Sequence, residues 1–340
     1  MAKKINSDVM KQNNRNEVLR LIRKGPRSRI KLAEKTGLTR AAISFITEEL
    51  LAEGLIVEGE KSPSIGGRPA TLLQINGDYG VYGGVHFTRN EYAVGVCDFT
   101  GQLLKEERGR VEANDAKGSL LKMRESLEKC LIGQRRLLGI GITAPGPLSR
   151  EEGRLGEVAN FAAWKNMPVC AYFEKAFGVG CTLDNVSNAL AYAEYSVNAD
   201  CARKYLTLIV DSGFGSAVAE KENGVRLTAC ELGHTTVDMH GARCDCGNIG
   251  CAELYVNEQN FHGTAEEQAS FYNALASVIV NATNGYSVEQ VIFSGVVTAD
   301  FTAFSARLQE ELARRGRGEV RLLPSLLGGR EVFVACNLCI

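Results

Sequence analysis

Residues 231–253 read ELGHTTVDMHGARCDCGNIGCAE, and no other stretch constrains the chain as tightly. It sets one imidazole, His234, ahead of three thiols at Cys244, Cys246 and Cys251. One nitrogen and three sulfur donors suit a closed tetrahedral Zn²⁺ site, because zinc accepts both donor types and a structural site leaves no position open. Gly247 and Gly250 let the short loop fold back so that Cys246 and Cys251 reach one ion. The alternative is three unrelated buried cysteines. The remaining cysteines, at 97, 130, 170, 181, 201, 230, 336 and 339, are scattered among apolar neighbours and read mostly as small core residues.

Outward from this knot, apolar runs at 81–87, 92–97, 137–142, 206–210 and 291–294 read as strands. Loops rich in Gly, Pro and Asn and helical patterns, one of them over 271–282, separate them, which predicts an α/β body. A length of 340 residues with 45% hydrophobic content supplies two or three compact units. No run approaches the ~18 apolar residues of a membrane span, and the start, Met1-Ala2-Lys3-Lys4-Ile5-Asn6, leads into polar residues instead of a signal-peptide core. The expectation is a cytoplasmic chain with no membrane partner, in which metal binding or buried thiols come before disulfides.

The formal charge of -1 conceals an asymmetry. Residues 1–70 carry 14 Lys+Arg against 8 Asp+Glu, a basic head on an acidic body. Within the head, Val18, Leu19, Leu21 and Ile22 keep helical spacing, as do Ile30, Leu32 and Ala33 after the candidate cap Ser28. Gly37-Leu38-Thr39 interrupts, and a third segment over 40–53 puts Ile43, Ile46, Leu50 and Leu51 on one side. Helix, glycine turn and longer helix is the order of a helix-turn-helix, whose second helix enters the major groove by its first residues. Thr39, Arg40, Ala41 and Ser44 are therefore the DNA-contact candidates. Strands over 54–58 and 71–75 flank a tip with Gly66-Gly67-Arg68-Pro69, making a wing whose Arg68 can enter an AT-rich minor groove. The alternatives are an ordinary Gly/Pro turn and a small helical interaction module.

Together these features resemble the ROK family of bacterial repressors, open reading frames and sugar kinases. The resemblance covers nearly the whole chain. It is carried by the head with its Gly-Gly-Arg-Pro wing, Thr143-Ala144-Pro145-Gly146-Pro147, Asn160 followed by Trp164, and above all the Glu-x-Gly-His and Cys-x-Cys-Gly-x-x-Gly-Cys-x-Glu signatures. It implies a ribonuclease-H-like, actin/hexokinase-type body of two lobes around a sugar cleft. The expected division is a winged helix-turn-helix over 1–75, a first lobe over 76–185 and a second over 186–340, whose C-terminal part is a candidate to return to the first lobe. By motif position, Asn160, Asn185, Glu231, His234 and Glu253 would line the cleft, supplying the donors and acceptors that sugar hydroxyls need. His234 can serve twice, one ring nitrogen on zinc and the other on ligand.

The family's kinases take their base from Asp in an Asn-Asp-x-Asn motif, and the matching stretch here is Asn185-Val186-Ser187-Asn188. Val186 cannot accept a proton. The phosphate loops differ as well. Gly84-Val85-His86-Phe87-Thr88 stands where the family has Asp-x-Gly-Gly-Thr, and Asp211-Ser212-Gly213 where it has Gly-Thr-Gly. Bulky side chains and an added carboxylate oppose phosphate approach. Asp184 as a displaced base and His86 as a new catalytic histidine are the weaker readings. The expectation is a non-enzymatic, homodimeric, sugar-responsive repressor whose heads straddle operator DNA. A ROK sugar kinase with an accessory DNA-binding head, and a scaffold that binds neither sugar nor DNA, are the rivals.

Overall fold

The computed structural model describes residues 7–62, 69–158, 161–198, 200–221 and 224–339. Asn160 and the Gly66-Gly67-Arg68 portion of the wing lie outside the described residues.

In the head, α1 (Ser7–Arg23), α2 (Arg29–Thr36) and α3 (Arg40–Ala52) bury Val18, Ile22, Leu32, Ile43 and Leu50 in one core. Each short helix starts on a side-chain cap. Ser28 Oγ accepts from the Lys31 amide and Thr39 Oγ1 from the Ala42 amide, satisfying N–H groups that the helix leaves free. Gly37, at φ 71°, ends α2 in the left-handed region that suits glycine. Strands β1 (Ile56–Lys61) and β2 (Thr71–Ile75) pair antiparallel, and Arg27 bridges to Leu73 beside them. The strand expected over 54–58 starts at Ile56, because Gly54 at φ 75° is spent turning the chain out of α3.

In the body, β3 (Val81–Phe87), β4 (Glu91–Asp98) and β5 (Leu103–Arg110) form a meander. Helix α4 (Ala116–Leu131) leads to β6 (Leu137–Ala144). A short hairpin of β7 (Leu148–Ser149) and β8 (Arg154–Leu155) and helix α5 (Val169–Phe177) then lead to β9 (Cys181–Asn185). This sheet has the order β5-β4-β3-β6-β9. After α6 (Val186–Val197) the pattern recurs: β10 (Lys204–Val210), β11 (Phe214–Lys221) and β12 (Val225–Ala229) form a second meander. Helices α7 (Glu258–Phe261) and α8 (Ala265–Tyr286), β13 (Gln290–Gly295), α9 (Phe301–Arg314) and β14 (Arg321–Pro324) complete it, before α10 (Glu331–Asn337). The second sheet has the order β12-β11-β10-β13-β14. In both, the meander is antiparallel and the last two strands add in parallel, so one unit is built twice. The helix read over 271–282 is longer, since Thr264 and Glu267 form a reciprocal capping box that starts α8 at Ala265.

Strand alternation sorts large and small side chains onto opposite faces. Val85, Phe87, Val94 and Val96 pack against α4 on one side, and Leu206, Leu208 and Val210 pack with residues of α8 and α9 such as Phe271 and Phe304. The inner faces carry Gly84, Ala93, Gly95, Cys97 and Gly141 on the first sheet, beside Tyr82 and His86, and Thr207, Ala217 and Ala219 on the second, beside Tyr205 and Ile209. Onto these thin faces pack α10, against β3, β4 and β6, and α6, against β10, β11 and β12, and the two helices also pack on each other. A Cβ on Gly141 would collide with the Ala335 carbonyl of α10.

Replacing Gly141 with Ala is expected to lower stability by about 1–3 kcal/mol, the usual cost of overpacking. Gly180→Ala, where no atom lies within 4 Å of an added Cβ, is the control and should change it by less than ~0.5 kcal/mol. Urea denaturation midpoints check both.

Candidate functional site

The 231–253 segment folds as the spacing suggests. Leu232–His234 form a single helical turn, Thr236 bridges to Cys251, and Arg243 bridges to Ile249. Gly247 and Gly250 adopt φ of 93° and 63°, and a side chain at Gly250 would strike the Asp238 carbonyl. The result brings one ligand atom each from His234, Cys244, Cys246 and Cys251 within 4.8 Å of one another. Cys244 Sγ lies 3.7 Å from His234 Nδ1, and Cys246 Sγ 3.6 Å from Cys251 Sγ. A tetrahedral ion with metal–sulfur bonds near 2.3 Å and a metal–nitrogen bond near 2.0 Å has edges of roughly 3.5–3.8 Å. The four residues can hold such an ion. Because Nδ1 faces the thiols, the other ring nitrogen of His234 is left for a ligand.

Of the other cleft candidates, Glu231 and Glu253 adjoin this knot, and Asn185 stands at the start of α6. Glu253 Oε1 lies 3.6 Å from His234 Nδ1, while Glu231 is exposed and leads into the His234 turn. Asn185 ends β9 and caps α6, its Oδ1 accepting from the Asn188 amide at 2.7 Å. The start of β11 lies between the two groups. Gly215 abuts Ser187 of α6, and a side chain at Gly233 would come within 2.6 Å of the Phe214 carbonyl and 3.6 Å of Glu253. One run of contacts thus joins the start of α6 to the His/Cys segment.

At the positions that the resemblance sets against the kinase motifs, the side chains are engaged as follows. Val186 is the first residue of α6 and half-buried. Asp184 is fully buried, its Oδ1 taking the Asn185 amide and Asn188 Nδ2 and its Oδ2 lying 2.8 Å from Arg150 Nη2. A carboxylate so engaged offers no open face to a hydroxyl. Burial pushes the Asp211 carboxyl up, as do the carboxylates of Glu258, Glu331 and Glu91, against a bond from the Val296 amide. His86 is buried with Nδ1 2.9 Å from Thr143 Oγ1, and burial lowers its pKa from 6.5 to about 4. It is a neutral core residue at physiological pH.

On the head, Thr39, Arg40 and Ala41 are exposed and Ser44 is half-buried, all at the start of α3. The sequence reading missed the joint between head and body. Arg20 stacks over the Tyr195 ring at 4.9 Å, Lys24 over the same ring at 5.2 Å, and Arg23 over Phe99 at 4.7 Å. Lys24 Nζ also donates to the Tyr195 carbonyl at 3.0 Å. Burial lowers the Arg23 guanidinium, offset by the Tyr82 hydroxyl. Tyr195 lies in the last turn of α6, so Arg20 and Lys24 meet the negative end of that helix. The available signal was the basic cluster Arg20, Arg23 and Lys24 at helical spacing.

His86 gives a pH test. The unfolded chain binds a proton below about 6.5 and the folded chain only near 4, so its contribution is complete above the first value and drains as pH falls toward the second. By pH 5 the native state should lose about 2 kcal/mol relative to His86→Gln, compared with pH 7.5. Parallel urea midpoints for the two proteins across that range would contradict it.

The family model described as ROK family matches residues 82–272. A xylose repressor from Caldicellulosiruptor bescii is 31% identical over 266 residues, 75% of this chain and 66% of that relative, just under two thirds of its length. The DNA-binding transcriptional repressor Mlc of Escherichia coli is 30% identical over 256 residues, 72% of this chain and 63% of Mlc. Among solved structures, a ROK family transcriptional regulator, a homologue of E. coli Mlc, superposes with a TM-score of 0.79 at 22% identity, covering 97% of this chain and 96% of its own. A ROK hexokinase from Thermus thermophilus superposes with a TM-score of 0.63 at 22% identity, covering 76% and 97%. The two-sheet body is therefore the hexokinase-type fold, and the chain belongs to the ROK family.

Proposed function

We propose that the chain is a sugar-responsive repressor of operator DNA that has lost phosphoryl transfer. Helix α6 is the observation that carries this reading. Its 12 residues span about 18 Å, with the cleft candidate Asn185 at one end and Tyr195, the seat of the head's Arg20 and Lys24, at the other. A sugar that prefers one placement of α6 would bias the placement of the head, which is the differential affinity that ligand control requires. Relatives named as xylose and N-acetylglucosamine repressors support a sugar as the effector.

In this reading Asn160, Asn185, Glu231, His234 and Glu253 hold the sugar. Thr39, Arg40, Ala41, Ser44 and Arg68 contact DNA, and two heads of a cytoplasmic homodimer meet the two half-sites of an operator. The head comprises 1–75 and the lobes 76–185 and 186–340, with α10 serving the first lobe. His234, Cys244, Cys246 and Cys251 hold a structural Zn²⁺, which fixes the loop that presents Glu231 and Glu253 and takes no part in bond-making. The rival, a sugar kinase with a DNA-binding head, lacks a base at Val186 and meets acid where phosphate would bind.

The test is fluorescence anisotropy of the full chain on duplex from its own upstream region, titrated with a panel of sugars and sugar phosphates. A specific shift altered roughly 5- to 150-fold by one sugar is expected. In Arg20→Gln/Lys24→Gln, DNA and sugar should each still bind while that factor falls toward one. Failure to bind DNA, or ATP-dependent phosphorylation of any sugar in the panel, would sink the reading. Zinc analysis is separate: one ion per chain, lost in Cys246→Ser along with part of the sugar affinity and several degrees of melting temperature. A chain that purifies and melts identically with and without chelator would contradict the zinc assignment.

A further inference from the structure

Helix α3 packs Ile43, Ile46, Thr47 and Leu50 into the head and leaves Phe45 out of phase with them, 55% exposed. It shares the outward face with Ala41, one turn earlier, and with Ser44 and Glu48. The ring is not loose. Lys11 of α1 sits 4.9 Å over it and is tethered at 2.8 Å to Glu49, one turn further along α3. Lys11 on Glu49, and Arg15 on Glu53, also neutralise carboxylates of α3 that would repel a phosphate backbone. A large apolar side chain is held in place on the face that a helix-turn-helix turns toward bases.

Resting on the proposed DNA-binding role, we infer that Phe45 is a specificity-determining residue that selects thymine in the major groove. Of the four base edges there, thymine's alone offers an apolar group, the C5 methyl, while the others present donors and acceptors that a phenyl ring would desolvate without replacing. The outward position beside Ala41 and Ser44, and exposed Arg40, Lys31 and Lys35 on a basic head, favour a duplex over an apolar protein partner as the occupant.

The experiment selects binding sites for the full chain from a random duplex pool, then replaces each thymine of the selected site with deoxyuridine, which removes only the methyl. Wild type should lose about fourfold in affinity at one position per half-site, the worth of one buried carbon group. Phe45→Ala should show no loss at that position and should select sites no longer fixed as thymine there, and Phe45→Leu should keep part of the preference. Both variants change an exposed side chain, and circular dichroism confirms their fold. Indifference of wild type to every deoxyuridine, or a Phe45→Ala protein with undiminished sensitivity, overturns the inference. So does a change in half-site spacing or oligomeric state with sensitivity intact, which would make Phe45 a contact between heads. If the chain selects no DNA at all, the proposed function itself falls, and this assignment with it.

Discussion

The molecule depends on two helices fitting between two sheets. Helices α6 and α10 pack on each other, and each lies on a sheet face rich in glycine, alanine, threonine or cysteine, with Tyr82, Tyr205, Ile209 and Ile292 as the larger members. Close-packed interiors do not deform continuously, so a thin interface of this kind transmits a shift of one helix to its neighbours. Large side chains are kept on the outer faces, where α4, α8 and α9 bury them and stabilise each lobe.

Polar chemistry is set at the ends of that inner layer. The first turn of α6 is capped by Asn185, and its last turn meets Arg20 and Lys24 of α1, while Arg23 stacks on Phe99. Glu194, fully buried in the same helix, accepts from Asn198 Nδ2, Ser325 Oγ and the Leu326 amide, which ties α6 to the segment leading into α10. Cation–π contacts contribute about 0.5–2 kcal/mol each depending on desolvation, enough to seat a head without making its position permanent. In the proposed reading, a body that shares the hexokinase-type fold serves as a receptor in place of a phosphoryl-transfer enzyme.

Much of this was legible in the sequence because it rests on local pattern. The knot follows from four ligands and two glycines within 18 positions, and the main strands follow from alternating or continuous apolar runs. Strand β5 was not legible: Leu103–Arg110 reads LLKEERGR and is an exposed edge strand, recognisable only through its pairing with β4. The joint was hidden for another reason, since Lys24 and Tyr195 are 171 positions apart and a basic helix end looks like any solvated face. Phe45 gives no sequence signal, because the apolar stripe of Ile43, Ile46 and Leu50 is complete without it.

The central claim is that the cleft and the head communicate through α6, and hydrogen exchange of the full chain with and without its effector sugar tests it most directly. The account predicts altered exchange in the last turn of α1 and the last turn of α6 as well as at the cleft, with α4 unchanged. Sugar binding that alters exchange only around Asn185, Glu231 and the metal-ligating loop, leaving the α1 joint as it was, would contradict it.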